Sequence, residues 1–569
     1  MATKKNDYVV TGDNARADFN LKVYRGDGMA LLAMNWKKGQ PPVDFVGFAI
    51  EYKEPGGKKF FTLKNRIGFS VSKPSPSTLA PFQKFRWVHF PRNAEMKGAF
   101  EYRVTPVFMN TKEELSYGEA QTASLALSRD TYAGKMNVTF TRGFVSSQAF
   151  VDKYGGESGV KKLLPPKADE GLDFKPTHEL ADEALAWMGF EARTEIYAVL
   201  DAAAKDKKAK VDVVAYDLSE RYVVEKLEKL GARLRIIIDD SGTHAKPHSA
   251  ETVAAKRLAA KGAVVKRQHM GTLQHNKTIV VRGGKSPVAI SGSTNFTWRG
   301  VYVQANNAVA VYGAKAVLPF AEAFEAYWNN EPVNGVAGFG SSVSAGWNKV
   351  DLGGVDARVT FSPHGEDNRV LKDIAKDIAD NTSSSLFFSL AFLYQTPGAM
   401  QAAIKQLRGQ ADKFVYGISD KEVGGMDVQT PNGKNPAVVY PEELSQDLPE
   451  PFKREAVGGG GTRMHHKFVV IDFDKPTARV YTGSYNFSVA ADERNGENLM
   501  LIRDRKVAIS YMIEALRLFD HYHFRVATKK AKTTKKALTL QKPPVKKEKA
   551  WWAEYYTDAR KVKDREMFG

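Results

Sequence analysis

One spacing constrains this chain more than any other feature, because it occurs twice. His275-Asn276-Lys277 opens the apolar run Thr278 to Val281, and Val288 to Ser291 returns to Gly292-Ser293-Thr294-Asn295-Phe296. Later, His465-His466-Lys467 opens Phe468 to Ile471, and Arg479 to Thr482 returns to Gly483-Ser484-Tyr485-Asn486-Phe487. Histidine and asparagine are 20 positions apart in the earlier copy (295 − 275) and 21 in the later (486 − 465). Each run is short, apolar and β-branched, which predicts a strand. Side chains two apart on a strand share a face, so each copy brings histidine with lysine, then serine with asparagine, to one sheet edge.

The elements around the two copies repeat as well. Val211 to Tyr216, Glu220 to Leu230, Leu234 to Ile238, Ala250 to Ala260 and Ala263 to Val265 read as strand, helix, strand, helix, strand before the first copy. Val359 to Ser362, Val370 to Ile378, Leu386 to Phe392, Ala399 to Leu407 and Lys413 to Ile418 repeat that scheme before the second. Such an order predicts a mostly parallel sheet with helices on both faces. A long insertion, about Gly424 to Gly461, enters the second copy directly and is expected to roof the site.

Residues 1–145 differ in character. Short alternating runs such as Phe19 to Tyr24, Met29 to Trp36, Phe45 to Tyr52, Lys59 to Leu63, Phe85 to Phe90, Phe100 to Phe108 and Gln121 to Leu127 are broken by turn signals such as Pro55-Gly56-Gly57. That pattern predicts an antiparallel β-sandwich. The run Glu101 to Val107 resembles the tyrosine-bearing strand of fibronectin type III domains. The region offers no catalytic constellation, and its lone His89 reads as a packed or surface residue. Its expected task is binding or placement, with a partner that the residues do not name.

The doubled pattern resembles the phospholipase D superfamily, whose signature is H-x-K-x4-D followed by G-S-x-N, twice in one chain or once in each half of a dimer. His465, Lys467, Asp472, Gly483, Ser484 and Asn486 match in full, whereas Arg282 stands where the first copy would place the aspartate. The resemblance spans roughly residues 175 to 525. It implies an α/β fold of duplicated α-β-α halves, 146–340 and 341–527, packed as one catalytic unit after the all-β sandwich and before a basic tail, 528–569. It also implies a metal-independent phosphodiesterase in which one histidine attacks phosphorus and the other protonates the leaving oxygen. Carried over, those roles fall on His275 and His465, in an order left open, with Lys277, Lys467, Asn295 and Asn486 on the phosphate oxygens. Ser293 and Ser484 support them. Glu497 resembles the acid that follows the second serine and asparagine, and Asn306 stands in its place in the first half.

A phosphodiester needs such a set: a nucleophile, a proton donor for the leaving oxygen, and donors around the non-bridging oxygens. Two histidines, two lysines and two asparagines supply it without a cofactor or metal. With no cysteine in 569 residues, thiol nucleophiles, thiolate metal sites and disulfides are excluded. Asp472, an odd number of residues from His465, faces away from it and reads as structural. A decayed first half is the alternative reading of Arg282, against which His275, Lys277, Ser293 and Asn295 all remain. His466 alternates to the wrong face, and His244 and His248 read as loop residues without acidic companions.

A formal charge of +18 predicts attraction to polyanions. Residues 526–549 hold nine lysines and one glutamate, +8 of that total, so the remainder carries about +10. The tail reads as solvated or as a contact for an acidic membrane surface or nucleic acid. Trp551, Trp552, Tyr555 and Tyr556 form an aromatic cluster expected to dock on a domain core. No leader-like or membrane-spanning run is evident, which sets the cytoplasm as the expected location. Phospholipid is the favoured substrate, a nuclease of the same superfamily is the alternative, and a binding protein that kept only the fold is the second.

Overall fold

The computed structural model describes residues 7–569 apart from 71–73, 128–129, 144–149, 151–152, 331–334, 420–437, 440–463, 534–537 and 547. The expected roof therefore lies outside the described residues, save the two-residue strand Val438–Val439.

The N-terminal region is built from two antiparallel sheets. Val9–Thr11, Phe19–Arg25, Ala30–Trp36 and Arg86–His89 form one, and Phe45–Lys53, Ala99–Met109, Leu115–Tyr117, Phe61–Thr62 and Gln121–Ala126 the other. Along Ala99–Met109, Phe100, Tyr102 and Val104 are buried while Glu101, Arg103 and Thr105 are less so. This is the alternation of a sheet with one face on a core. Phe19 and Leu21 meet Phe48, Phe100 and Tyr102 in that core. Met136–Phe140, expected within this region, instead pairs antiparallel with Asn307–Tyr312 and forms the edge of the next sheet.

That sheet has seven strands, in the order Met136–Phe140, Asn307–Tyr312, Val288–Gly292, Lys277–Arg282, Lys210–Ala215, Leu234–Ile238, Val264–Arg267. The eight-stranded second sheet repeats the order as Asp356–Ser362, Glu497–Arg503, Arg479–Gly483, Lys467–Ile471, Ser385–Leu390, Phe414–Ile418, flanked by Asn348–Asp351 and Val438–Val439. The mostly parallel sheet predicted from element order is not what forms. In the first half only Lys210–Ala215, Leu234–Ile238 and Val264–Arg267 run parallel, and the motif strands are antiparallel. A strand returned by a short turn must pair antiparallel, whereas parallel pairing needs a crossover.

Helices cover the outer face of each sheet. Leu371–Asn381 buries Leu371, Ile374, Ala375 and Ile378, one stripe at helical spacing, against the second sheet. Ala250–Ala260 starts where Ser249 accepts from the Thr252 N–H at 3.1 Å. The inner faces meet each other. Val280, Ala289 and Val309 share one core with Phe468, Val470 and Met500, closed by Ala314–Asn329 and Arg505–Thr533. Each of the valine, phenylalanine and methionine side chains contributes about 1.5–3 kcal/mol on full burial, so the seam between halves is a core and not a loose contact.

The aromatic cluster docks on the sandwich, with Trp551 Nε1 donating to the Phe45 carbonyl at 3.1 Å. Ala559–Phe568 then places Phe568 against Phe387, Phe414 and Phe473 of the second half. Arg86 of the sandwich lies 2.7 Å from both Asp520 and Asp564. The described C-terminal residues thus strap the sandwich to the second half, and Lys529, Lys530 and Lys532 of the basic run fall within the helix Arg505–Thr533. Among the described residues no helix is long and apolar enough to cross a membrane.

Candidate active site

The strands Lys277–Arg282 and Lys467–Ile471 bring the two histidines that precede them to the seam. His275 and His465 lie with ring centroids 6.5 Å apart, and both line a cavity of about 1350 Å³ with Asn295 and Asn486. Each histidine precedes its strand by two residues, and each lysine turns back to its own histidine carbonyl, Lys467 Nζ to His465 O at 2.8 Å and Lys277 Nζ to His275 O. Lys277 lies 4.9 Å from the Tyr216 ring centre and Lys467 5.3 Å from that of Phe392. Gly292 and Gly483 are required by close approach, since a Cβ at either would strike the carbonyl of Asn307 or Asn498 on the neighbouring strand.

The second nitrogen of each ring is held from the opposite half. His275 Nδ1 lies 2.7 Å from Glu497 Oε2, and His465 Nδ1 lies 2.9 Å from Asn306 Oδ1 and 3.2 Å from the Ser293 carbonyl. The serines orient these acceptors: Ser484 Oγ donates to Glu497 at 2.7 Å and Ser293 Oγ to Asn306 at 2.9 Å. An amide oxygen only accepts, as does the Glu497 carboxylate once ionised, so in that state Nδ1 carries the hydrogen in each ring and Nε2 is left for chemistry. The Asn295 and Asn486 side-chain oxygens are both buried without a hydrogen-bond partner.

Burial dominates the electrostatics. Desolvation, with Lys277 and Lys467 adding to it, holds His275 well below its ordinary value, and His465 is held down the same way. Burial brings Lys277 down to about 8 against the pull of Glu497, and takes Lys467 well below its ordinary value. It pushes Glu497 up to about 8 against Lys277. Burial of four basic groups this close together favours their neutral forms, and a bound anion would raise the pKa of all four.

Arg282 and Asp472 occupy matching registers but do different work. Asp472, at φ 55°, accepts the backbone N–H groups of Ser383, Ser384 and Ser385 at 2.7–3.1 Å, just before Ser385–Leu390. Arg282 instead reaches Asp212, 2.6 Å away, beside Arg235 and Glu325. His466 faces away from the cavity, 2.8 Å from the buried Glu514 and against Phe140 and Phe468.

The reading of His244 is overturned. Its Nδ1 lies 2.7 Å from Asp239 and its Nε2 2.9 Å from Asp217, and it lines the same cavity. Burial works against its charge, yet the two carboxylates outweigh it and push its pKa up to about 10. Asp217 also receives the Asn295 amide at 2.6 Å. The companions lie 5 and 27 residues upstream, where no local spacing shows them. Their signal is position: both follow the C-terminal ends of sheet strands, where ligand crevices form. Among the described residues, Asp217, His244 and Glu251 are a group whose ligand atoms fall within 4.8 Å of one another. With both ring nitrogens facing carboxylates, His244 is arranged as an imidazolium, which has no lone pair for a metal.

Comparison with known proteins agrees with the motif. Residues 199–328 and 436–518 match the family described as cardiolipin synthase, PLD-like domain. The chain is 54% identical over 48 residues to a phospholipase D of Rickettsia prowazekii, 8% of this chain and 22% of that protein. It is 41% identical over 59 residues to a mitochondrial cardiolipin hydrolase of Xenopus tropicalis, 10% and 26% of the two chains. The chain thus spans about a quarter or less of the length of these curated relatives. The solved phosphatidylserine synthase of Haemophilus influenzae is 13% identical, with 61% of this chain and 92% of that one covered at a TM-score of 0.38. The two matched segments fall one in each half, so the chain carries a phospholipase D-like domain divided between its halves.

Proposed function

We propose that this chain is a phosphodiesterase of the phospholipase D type, acting through a phosphohistidine. His275 Nε2 attacks phosphorus as the bond to the leaving oxygen breaks, and His465 Nε2 gives that oxygen its proton. Water then attacks phosphorus, His465 takes the proton of the water, and the phosphorus–nitrogen bond breaks to release a phosphomonoester. The single observation that carries this order is the unequal pairing of the rings. The carboxylate of Glu497 stabilises the positive charge that develops on an attacking His275, whereas the neutral amide of Asn306 leaves a protonated His465 the stronger acid.

Phospholipid is favoured over nucleic acid by the apolar wall that the second half gives the cavity, with Leu371, Phe392, Met400, Phe487 and Val489. The Rickettsia and Xenopus relatives are named for phospholipase D and cardiolipin hydrolase. The test is a rapid quench after mixing with phosphate-labelled phosphatidylcholine or a labelled oligonucleotide. We expect acid-labile, base-stable label on wild type, label that forms slowly but persists on His465→Ala, and none on His275→Ala. Label appearing only from the oligonucleotide would replace the lipid reading with a nuclease. Label from neither would leave a binding protein.

A further inference from the structure

The first half contains a polar relay that the motif does not include, and among the described residues the second half carries Phe392 at the register of its Asp217. Asp239 is fixed by the N–H groups of Gln274 at 2.6 Å and Ser241 at 3.0 Å, and by Ser241 Oγ at 2.6 Å. His244 bridges from Asp239 to Asp217 Oδ1, and Asp217 Oδ2 accepts from Asn295 Nδ2 at 2.6 Å. Ala215 pairs with Lys277 and Leu390 with Lys467, so the register of Asp217, two residues on, is taken in the second half by Phe392. The Tyr216 ring sits between the rings of His244 and His275, with centroids 4.8 and 4.7 Å away.

We propose that His244 is a positioning residue which, through Asp217, fixes the amide of Asn295 for the phosphate and shields the substrate from the two carboxylates. The proposal rests on the phosphodiesterase reading of the site. A carboxylate accepts only, so it dictates that the amide turns its nitrogen, and not its oxygen, toward Asp217. The second hydrogen of that nitrogen is then available to a phosphate oxygen. The imidazolium also offsets Asp217 and Asp239, which without it would repel an anionic substrate across a partly buried gap. Both N–H groups of His244 are used by the carboxylates, so it acts through Asn295 and touches no substrate itself.

His244→Ala should raise KM, and the inhibition constant for inorganic phosphate, by about 10- to 100-fold, the worth of a hydrogen bond to a charged group, with kcat changed far less. Added salt should lower the KM of the variant, because it screens the repulsion from the partly exposed Asp217, while raising or leaving that of wild type. Adding Asp217→Asn to His244→Ala should recover the part of the lost affinity that is charge repulsion, and not the part that depends on the orientation of Asn295; a merely structural role predicts no recovery and no inverted salt response. Thermal melting with and without inorganic phosphate gives a readout that does not require turnover. A phosphate-dependent rise in Tm in wild type that persists unchanged in His244→Ala overturns this inference alone. No phosphate effect in wild type, together with no turnover, overturns the catalytic reading and this one with it.

Discussion

The two halves of the catalytic unit share strand order, motif spacing and the close approach that demands each glycine, yet they surround their histidines differently. His275 borrows a carboxylate from the second half, and His465 borrows an amide from the first. Asn295 is tied to Asp217, whose register is filled by Phe392 beside His465. Asp472 holds three backbone donors where Arg282 reaches a side-chain pair. Duplication therefore fixes where the paired side chains stand, and on the proposed mechanism the few positions that differ decide which ring attacks and which donates.

The largest expected effects test that division directly. His275→Ala should lower turnover by at least about 10³-fold with any leaving group. His465→Ala should fall as far with an alkyl leaving group but far less, within about 10²-fold, when the leaving phenol needs no proton. Equal losses with both substrates in a burst-phase assay would erase the distinction. Next in size, Glu497→Gln should slow turnover by about 10- to 100-fold, by removing the charge that steadies a developing imidazolium. Asn306→Asp should also slow it, by about 3- to 10-fold, because a carboxylate on His465 weakens it as an acid. Faster turnover in Asn306→Asp would reverse the assigned roles.

A third test reads protons instead of rates. His275, His465, Lys277 and Lys467 all have pKa values lowered by burial, so at pH 8 both histidines are neutral and Lys277, brought down to about 8, is partly so. A bound anion raises all four, and binding must then take up protons. Calorimetry of phosphate binding at pH 8 in buffers of different ionisation enthalpy should show net uptake. Net release would contradict the electrostatic account.

The smallest effects concern the frame. Asp472→Asn should cost about 2–3 kcal/mol without changing kcat of the folded fraction, since a buried carboxylate that serves three N–H groups is lost. Burial raises the pKa of Asp472, but those donors more than offset it and the net value is depressed. Its stabilisation is thus fully present above the unfolded value near 3.8 and is lost as pH falls through the lower folded value. Arg282→Ala, at a partly exposed ion pair, should cost only about 1 kcal/mol. A loss of activity in Arg282→Ala beyond its loss of folded protein would show that this position does more than hold Asp212.

Much of this was legible before any coordinates. The strands Leu234–Ile238 and Phe414–Ile418 and the helix Ala250–Ala260 follow from runs and periodicity that leave no other reading. The order of elements does not record pairing direction, which is set by how a strand returns, so it overstates the parallel sheet. No local spacing marks His244, because its acids approach from the ends of two strands. The apolar bulk of Trp551 predicts its docking, whereas nothing local predicts the strap made by Phe568 and Asp564.

By itself the sequence determined the duplicated architecture, the strands that carry each histidine and lysine, and the chemical inventory of the site. These are local properties: hydrophobic period, β-propensity, and two spacings of nearly equal length. Only the tertiary structure decided which acceptor serves which ring. Glu497 meets His275 across 222 positions, and Asn306 meets His465 across 159. Those partnerships arise where two sheets bury their inner faces against each other, so the pairing is set by packing at the seam, and each half taken alone would leave its histidine without the acceptor that the other half supplies.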